Sequence, residues 1–114
     1  MTILKFEIVT HHDIHEFEDA IFEHIHKGWE ICGDLYVEGK RFFIPIVLND
    51  EEKESDEDIF YTVVNIQRGY HDSTEENVKL FESEVNGLIN EGWELVGKTI
   101  IKESGFYQLM CYKE

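Results

Sequence analysis

An α+β domain assembled from two βαββ units is the fold class predicted here, and three observations predict it. Gly28-Trp29-Glu30-Ile31-Cys32-Gly33 returns as Gly92-Trp93-Glu94-Leu95-Val96-Gly97, at an offset of 64 residues. On the same offset Phe17 meets Phe81, Ile21 meets Val85, Ile25 meets Ile89 and Phe42 meets Phe106. Within each copy the apolar residues pass from alternation to helical spacing and back to alternation, the order strand, helix, hairpin. The first unit covers residues 1–49 and the second residues 59–114, joined by an acidic linker at 50–58. Antiparallel sheets with the two helices packed on one side follow from that order.

In the first copy Leu4, Phe6 and Ile8 alternate with Lys5 and Glu7, which predicts a half-buried strand. Asp13 stands three residues before Glu16, a capping pair that starts a helix. Ile14, Phe17, Ile21 and Ile25 then share one helical face, and Gly28 closes the helix in a left-handed C-terminal cap. A strand from Trp29 to Val37 turns at Glu38-Gly39-Lys40 and returns as Arg41–Leu48, a β-hairpin.

The second copy predicts a strand over Ile59–Ile66, a helix over Thr74–Glu91 with the stripe Val78, Phe81, Val85, Leu88 and Ile89, and a hairpin of Trp93–Lys102 with Phe106–Tyr112. Its last strand is apolar on both faces. Phe106, Met110 and Tyr112 point one way, and Tyr107, Leu109 and Cys111 the other. One of these faces belongs to the helix. The other must pack between the two copies or against another subunit, so a homo-oligomer is expected.

The chain has 114 residues, 42% of them hydrophobic, and a net charge of −15. A domain of this size buries roughly 65% of its unfolded surface and needs no disulfide scaffold. Cys32 aligns with Val96 and Cys111 with Val47, so both thiols are expected in the core. The charge divides as −5 over 1–49, −6 over 50–58 and −4 over 59–114. No basic stripe offers a footprint for direct nucleic-acid binding. There is neither a long apolar run nor an export signal, so no membrane association and a cytoplasmic address are expected.

The stretch Gly92-Trp93-Glu94-Leu95-Val96-Gly97, followed by Phe106-Tyr107-Gln108-Leu109-Met110, resembles the small bacterial and phage domain-of-unknown-function family seventeen-thirty-seven. The resemblance covers about residues 78–113 and is weaker in the first copy, where Ile44 and Pro45 stand in place of Gln108 and Leu109. It implies a short βαββ fold and transfers no catalytic residues. Through the family's presence in phages it also implies, by association, a counter-defence role.

Few constellations carry chemistry. His11, His12, His15, His24 and His26 flank the first helix, but no two of them are spaced i, i+4 on it, and no metal or other cofactor is expected. Trp29 and Trp93 follow helix-ending glycines at equivalent positions and are read as core. Glu30 and Glu94 lie on the opposite strand face, with nothing to set them apart as acid and base. No phosphate loop, nucleophile elbow or triad spacing is present, so the chain is read as a non-enzymatic binding module with no catalytic residues.

The copies differ most before the second helix, where the segment 67–73 is several residues longer than its counterpart Thr10-His11-His12. Arg68, Tyr70, His71 and Ser73 there form the candidate ligand site: a guanidinium, an aromatic face, and amides at a helix start that favour an anion. These groups suit a phosphate-bearing small molecule, in the sharpest case a nucleotide-derived signal held by a counter-defence protein. The alternative is an acidic DNA mimic, or another inhibitor of a host protein, acting through the carboxylates of the linker Asp50–Asp58 and of the surface.

Overall fold

Alternation and helical spacing become nine elements in the computed structural model, which describes residues 2–50, 59–67, 74–103 and 105–114. In chain order these are β1 (Ile3–His11), α1 (Ile14–His26), β2 (Trp29–Ile31), β3 (Tyr36–Glu38), β4 (Arg41–Asn49), β5 (Ile59–Gln67), α2 (Thr74–Asn90), β6 (Glu94–Lys102) and β7 (Gly105–Lys113). The fold is α+β, with two antiparallel sheets and two helices. The first sheet runs β1-β4-β2, with β3 also on β4, and the second runs β5-β7-β6. In each the last strand of the unit is central and the first is an edge.

The units agree in register as well as in order. Glu30 opposite Val47 corresponds, 64 residues on, to Glu94 opposite Cys111, and Ile31 opposite Ile46 to Leu95 opposite Met110. Past an interruption, Tyr36 opposite Phe43 corresponds to Ile100 opposite Tyr107, and Val37 opposite Phe42 to Ile101 opposite Phe106. The same slip therefore occurs at the same place in both hairpins. In the second unit it is a bulge within β6, at the left-handed Gly97 (φ +69°). In the first unit it breaks the strand expected over Trp29–Val37 into β2 and β3, so the hairpin has three strands rather than two.

Local signals behave as their chemistry requires. The Asp13 carboxylate accepts from the His15 and Glu16 amides at 2.9 and 3.0 Å, and these bonds hold its pKa below the usual aspartate value. Gly28 and Gly92 adopt φ of +95° and +101° just past the two helices, conformations a side chain would strain.

The helix α1 works on two sides. Phe17 and Ile21 are fully buried, with the Phe17 ring 5.5 Å from that of Phe42 in the first sheet. One step around the helix, Phe22 stacks on Phe60 and the Glu18 carboxylate accepts the Val63 amide at 3.1 Å, so β5 of the second sheet lies against it. The main core accordingly draws on both units, joining Val9, Val37, Phe42, Ile44 and Ile46 with Val63, Tyr107 and Leu109. A second core of Val64, Ile66, Phe81 and Met110 lies under α2.

The two faces of β7 separate as expected. Leu109 and Tyr107 pack between the units, while Met110 and Phe106 face α2. Two expectations are corrected. Phe6 and Ile8 are exposed, because the β4 pairing turns them, with Pro45 and Val47, to the face of the first sheet away from α1. Val9 is the buried residue of β1. Cys32 is exposed where Val96 is half-buried, because the break after β2 carries it out of the strand. Cys111 is buried, and both thiols are free.

Candidate functional site

The predicted site residues Arg68, Tyr70, His71 and Ser73 lie outside the described residues, as do 51–58 of the acidic linker. Their described border is the start of α2. A cavity of about 120 Å³ lies there, lined by Thr74, Asn77, Lys102, Glu103, Gly105 and Phe106. Asn77 is buried at 5% exposure, and its Oδ1 has no hydrogen-bond partner among the described residues. Lys102 is directed elsewhere: its ammonium donates to the Val37 carbonyl and sits 4.6 Å from the centre of the Tyr36 ring.

A larger cleft, about 520 Å³, opens where the units meet. The first unit contributes the end of α1 and the turn after it, with Ile25, Gly28, Trp29, Ile31 and Gly33. The second contributes Ile59, Tyr61, Val96 and Lys113. Its walls are apolar because both units turn their core faces inward there. Glu30 also borders it, but strand alternation turns its carboxylate to the far face, where it accepts from Asn49 Nδ2 at 3.3 Å.

Two polar side chains therefore address the cleft. Burial pushes the Tyr61 hydroxyl above the usual tyrosine value, with the neighbouring Cys111 adding to the effect, so it stays a protonated donor. Lys113 is the one basic residue in the lining among the described residues. An apolar, partly enclosed space with one neutral donor and one ammonium suits a small anionic molecule with an aromatic or aliphatic body.

The histidines are held singly. His24 lies edge-on to Trp29, with Nδ1 2.7 Å from the Ala20 carbonyl and Nε2 3.3 Å from Glu7. His11 faces Glu16 at 3.7 Å and His15 faces Glu18 at 3.8 Å. Among the described residues no three His, Cys, Asp or Glu side chains converge on a metal position. Glu30 and Glu94 occupy equivalent places in two different sheets, so they do not share a site.

Sequence reasoning allowed a ligand between the duplicated halves but placed its site residues in the long loop, and named none of the cleft's lining, which comes from residues 25–33, 59–61, 96 and 113. The available signal was Lys113, a base at the end of a strand otherwise facing a core. Among the described residues no helix is long and apolar enough to cross a membrane. No protein-family model matches the chain, and neither does any curated protein or solved structure.

Proposed function

We propose that the protein is a non-enzymatic binding module that sequesters a small anionic molecule in the cleft between its two units. The cleft's composition carries this reading: Lys113 is the lone ammonium among the described lining residues, in a protein of net charge −15, set beside the Tyr61 donor and the apolar side chains of Ile25, Trp29 and Ile31. Trp29 and Tyr61 add aromatic surface suited to a nucleobase, and Lys113 suits its phosphate. A nucleotide-derived signal therefore remains the sharpest form of the proposal.

Native mass spectrometry of the purified protein, followed by calorimetry with a nucleotide panel, tests it. Lys113→Met and Tyr61→Phe should each weaken binding by about tenfold, the size of one charge-assisted or one buried hydrogen bond. No retained mass and no heat with any nucleotide would set the proposal aside.

A second placement of the same ligand, at the start of α2, is favoured by Asn77, whose buried Oδ1 has no hydrogen-bond partner among the described residues and suits a hydroxyl or amino group of the ligand, soon after Arg68, Tyr70, His71 and Ser73 in sequence. Arg68→Ala distinguishes the two. Lost binding with Lys113→Met unaffected moves the ligand to the helix start.

A further inference from the structure

The exposed large apolar side chains are not scattered. Ile3, Phe6, Ile8 and Tyr36 lie on the outer face of the first sheet, with Leu4 at the β1 bulge beside them. Leu95 and Ile101 lie on the α2 side of the second sheet, opposite Met110 and Phe106, with Ile89 on α2 itself. Each group is the counterpart of a surface that is buried inside the chain.

Within the chain, the second sheet turns its face away from α2 toward the first unit. Val63, opposite Leu109, is buried there, as are Tyr107 and Leu109. The same positions in the first sheet are Ile8, opposite Pro45, with Phe43 and Pro45. Val63 is 4% exposed and Ile8 55%. The surface receiving that face includes Ile25, Ile31 and Val37, which correspond to Ile89, Leu95 and Ile101. Val37 is 0% exposed and Ile101 73%. The internal contact joins unlike surfaces, and the chain displays one unused copy of each.

We infer that the protein assembles head to tail with copies of itself, the outer face of the first sheet of one molecule seating on the α2 side of the second sheet of the next. The contact between molecules repeats the contact between units. Such an interface is heterologous, and it closes into a ring or continues as a filament.

The area is sufficient. Five large side chains more than half exposed offer on the order of 500 Å² of apolar surface at the first end, high for a lone monomer and most of what one partner buries in a standard interface. Charge permits it too. Phe6, Ile8, Thr10, Phe43, Pro45 and Val47 carry none, and the charges of this face, Glu30 opposite Val47, Glu38 opposite Arg41 and the Lys102 ammonium at the Tyr36 ring, lie on its β2–β3 side, where salt screens them. One feature weakens the copy: Phe22, which stacks on Phe60, is matched by exposed Asn86. The contact between molecules thus lacks a ring pair that the internal one has, and association should depend on concentration.

Light scattering coupled to size exclusion, from micromolar to submillimolar protein, gives the test. Wild type should exceed the monomer mass, increasingly with concentration and salt. Ile8→Glu blocks one end and Ile101→Glu the other, so each alone should be monomeric with an unchanged circular dichroism spectrum. Each variant keeps one sound end, so mixing them should double the mass to a one-to-one dimer that grows no further. Phe6→Glu and Leu95→Glu serve as a second pair should either variant fail to fold. A wild type that stays monomeric at submillimolar concentration overturns the inference and leaves both faces to other partners. An assembly dissolved by Ile8→Glu but untouched by Ile101→Glu also overturns it, in favour of a two-fold dimer through the first sheet, and so does a mixture that remains monomeric.

Discussion

Val37 and Ile101 occupy the same register position in the two sheets, opposite Phe42 and Phe106, yet Val37 is wholly buried and Ile101 is the most exposed of the large apolar residues among those described. The local strand geometry is shared, so their different burial comes from what covers each sheet. Val37 shares a core with Val63, Tyr107 and Leu109 of the second unit, whereas among the described residues none buries Ile101.

Burial of this kind predicts a contrast between the two faces of the first sheet. Ile44→Ala, at a fully buried position, should cost about 2–5 kcal/mol, whereas Ile8→Ala should stay within about 0.5 kcal/mol when measured on dilute protein. Urea unfolding at low concentration reads both. Equal losses would mean that the outer face is covered even in the monomer.

Gln108 is almost fully buried in the second sheet. It accepts from the Thr99 hydroxyl and donates to the Val96 and Leu109 carbonyls at 3.2 and 2.9 Å. Val96 is the last paired residue before β6 slips its register, so the amide supplies a donor to a carbonyl at the edge of the bulge. Gln108→Leu should destabilise by about 1–3 kcal/mol, the cost of orphaning buried polar groups, despite adding apolar surface. Chemical denaturation checks it, and a neutral result would show that the carbonyl finds another donor.

At Gly97 a Cβ would meet the Asp34 carboxylate at 2.6 Å, whereas at Gly39, also left-handed at φ +60°, it would meet nothing within 4 Å. Both alanine variants carry a backbone cost of about 1–2 kcal/mol. Gly97→Ala should lose more, because displacing Asp34 breaks its 3.4 Å contact with the Lys98 amide, a link between the units. Comparing the two melting temperatures isolates that link, and equal shifts would show that Asp34 moves aside freely.

The thiols should differ in reactivity. Cys32 is exposed, while burial pushes the Cys111 thiol up, with Glu94 raising it further. An aromatic disulfide reagent should modify Cys32 promptly in the native protein and Cys111 only on unfolding. Cys32→Ser should leave a single slow phase.

Much of the architecture is legible in residue spacing, because Asp13, Gly28 and Gly92 act through local backbone chemistry that no distant contact overrides. Alternation in β1 is equally plain, yet it misleads. Period two separates the faces of a strand without saying which is covered, and here Val9 turns inward while Phe6 and Ile8 turn out. Cys32 fails for a related reason: it aligns with Val96, but only the second unit keeps its strand continuous through the slip. The cleft is invisible in sequence because its walls meet only when Trp29 and Tyr61, from separate units, are brought together by the packing of α1 on β5.

The two-sided role of α1 also sets the timetable by which the chain can fold. Phe42 touches Tyr107 across 65 positions, so the core around Val37 and Phe42, begun by Phe17 within the first unit, is completed only when β7 of the second unit arrives. Pairings so distant in sequence form slowly, and the waiting surface is one that chaperones bind. The duplicated chain is thus committed to finishing as one cooperative unit, with an early half-product that is sticky rather than stable.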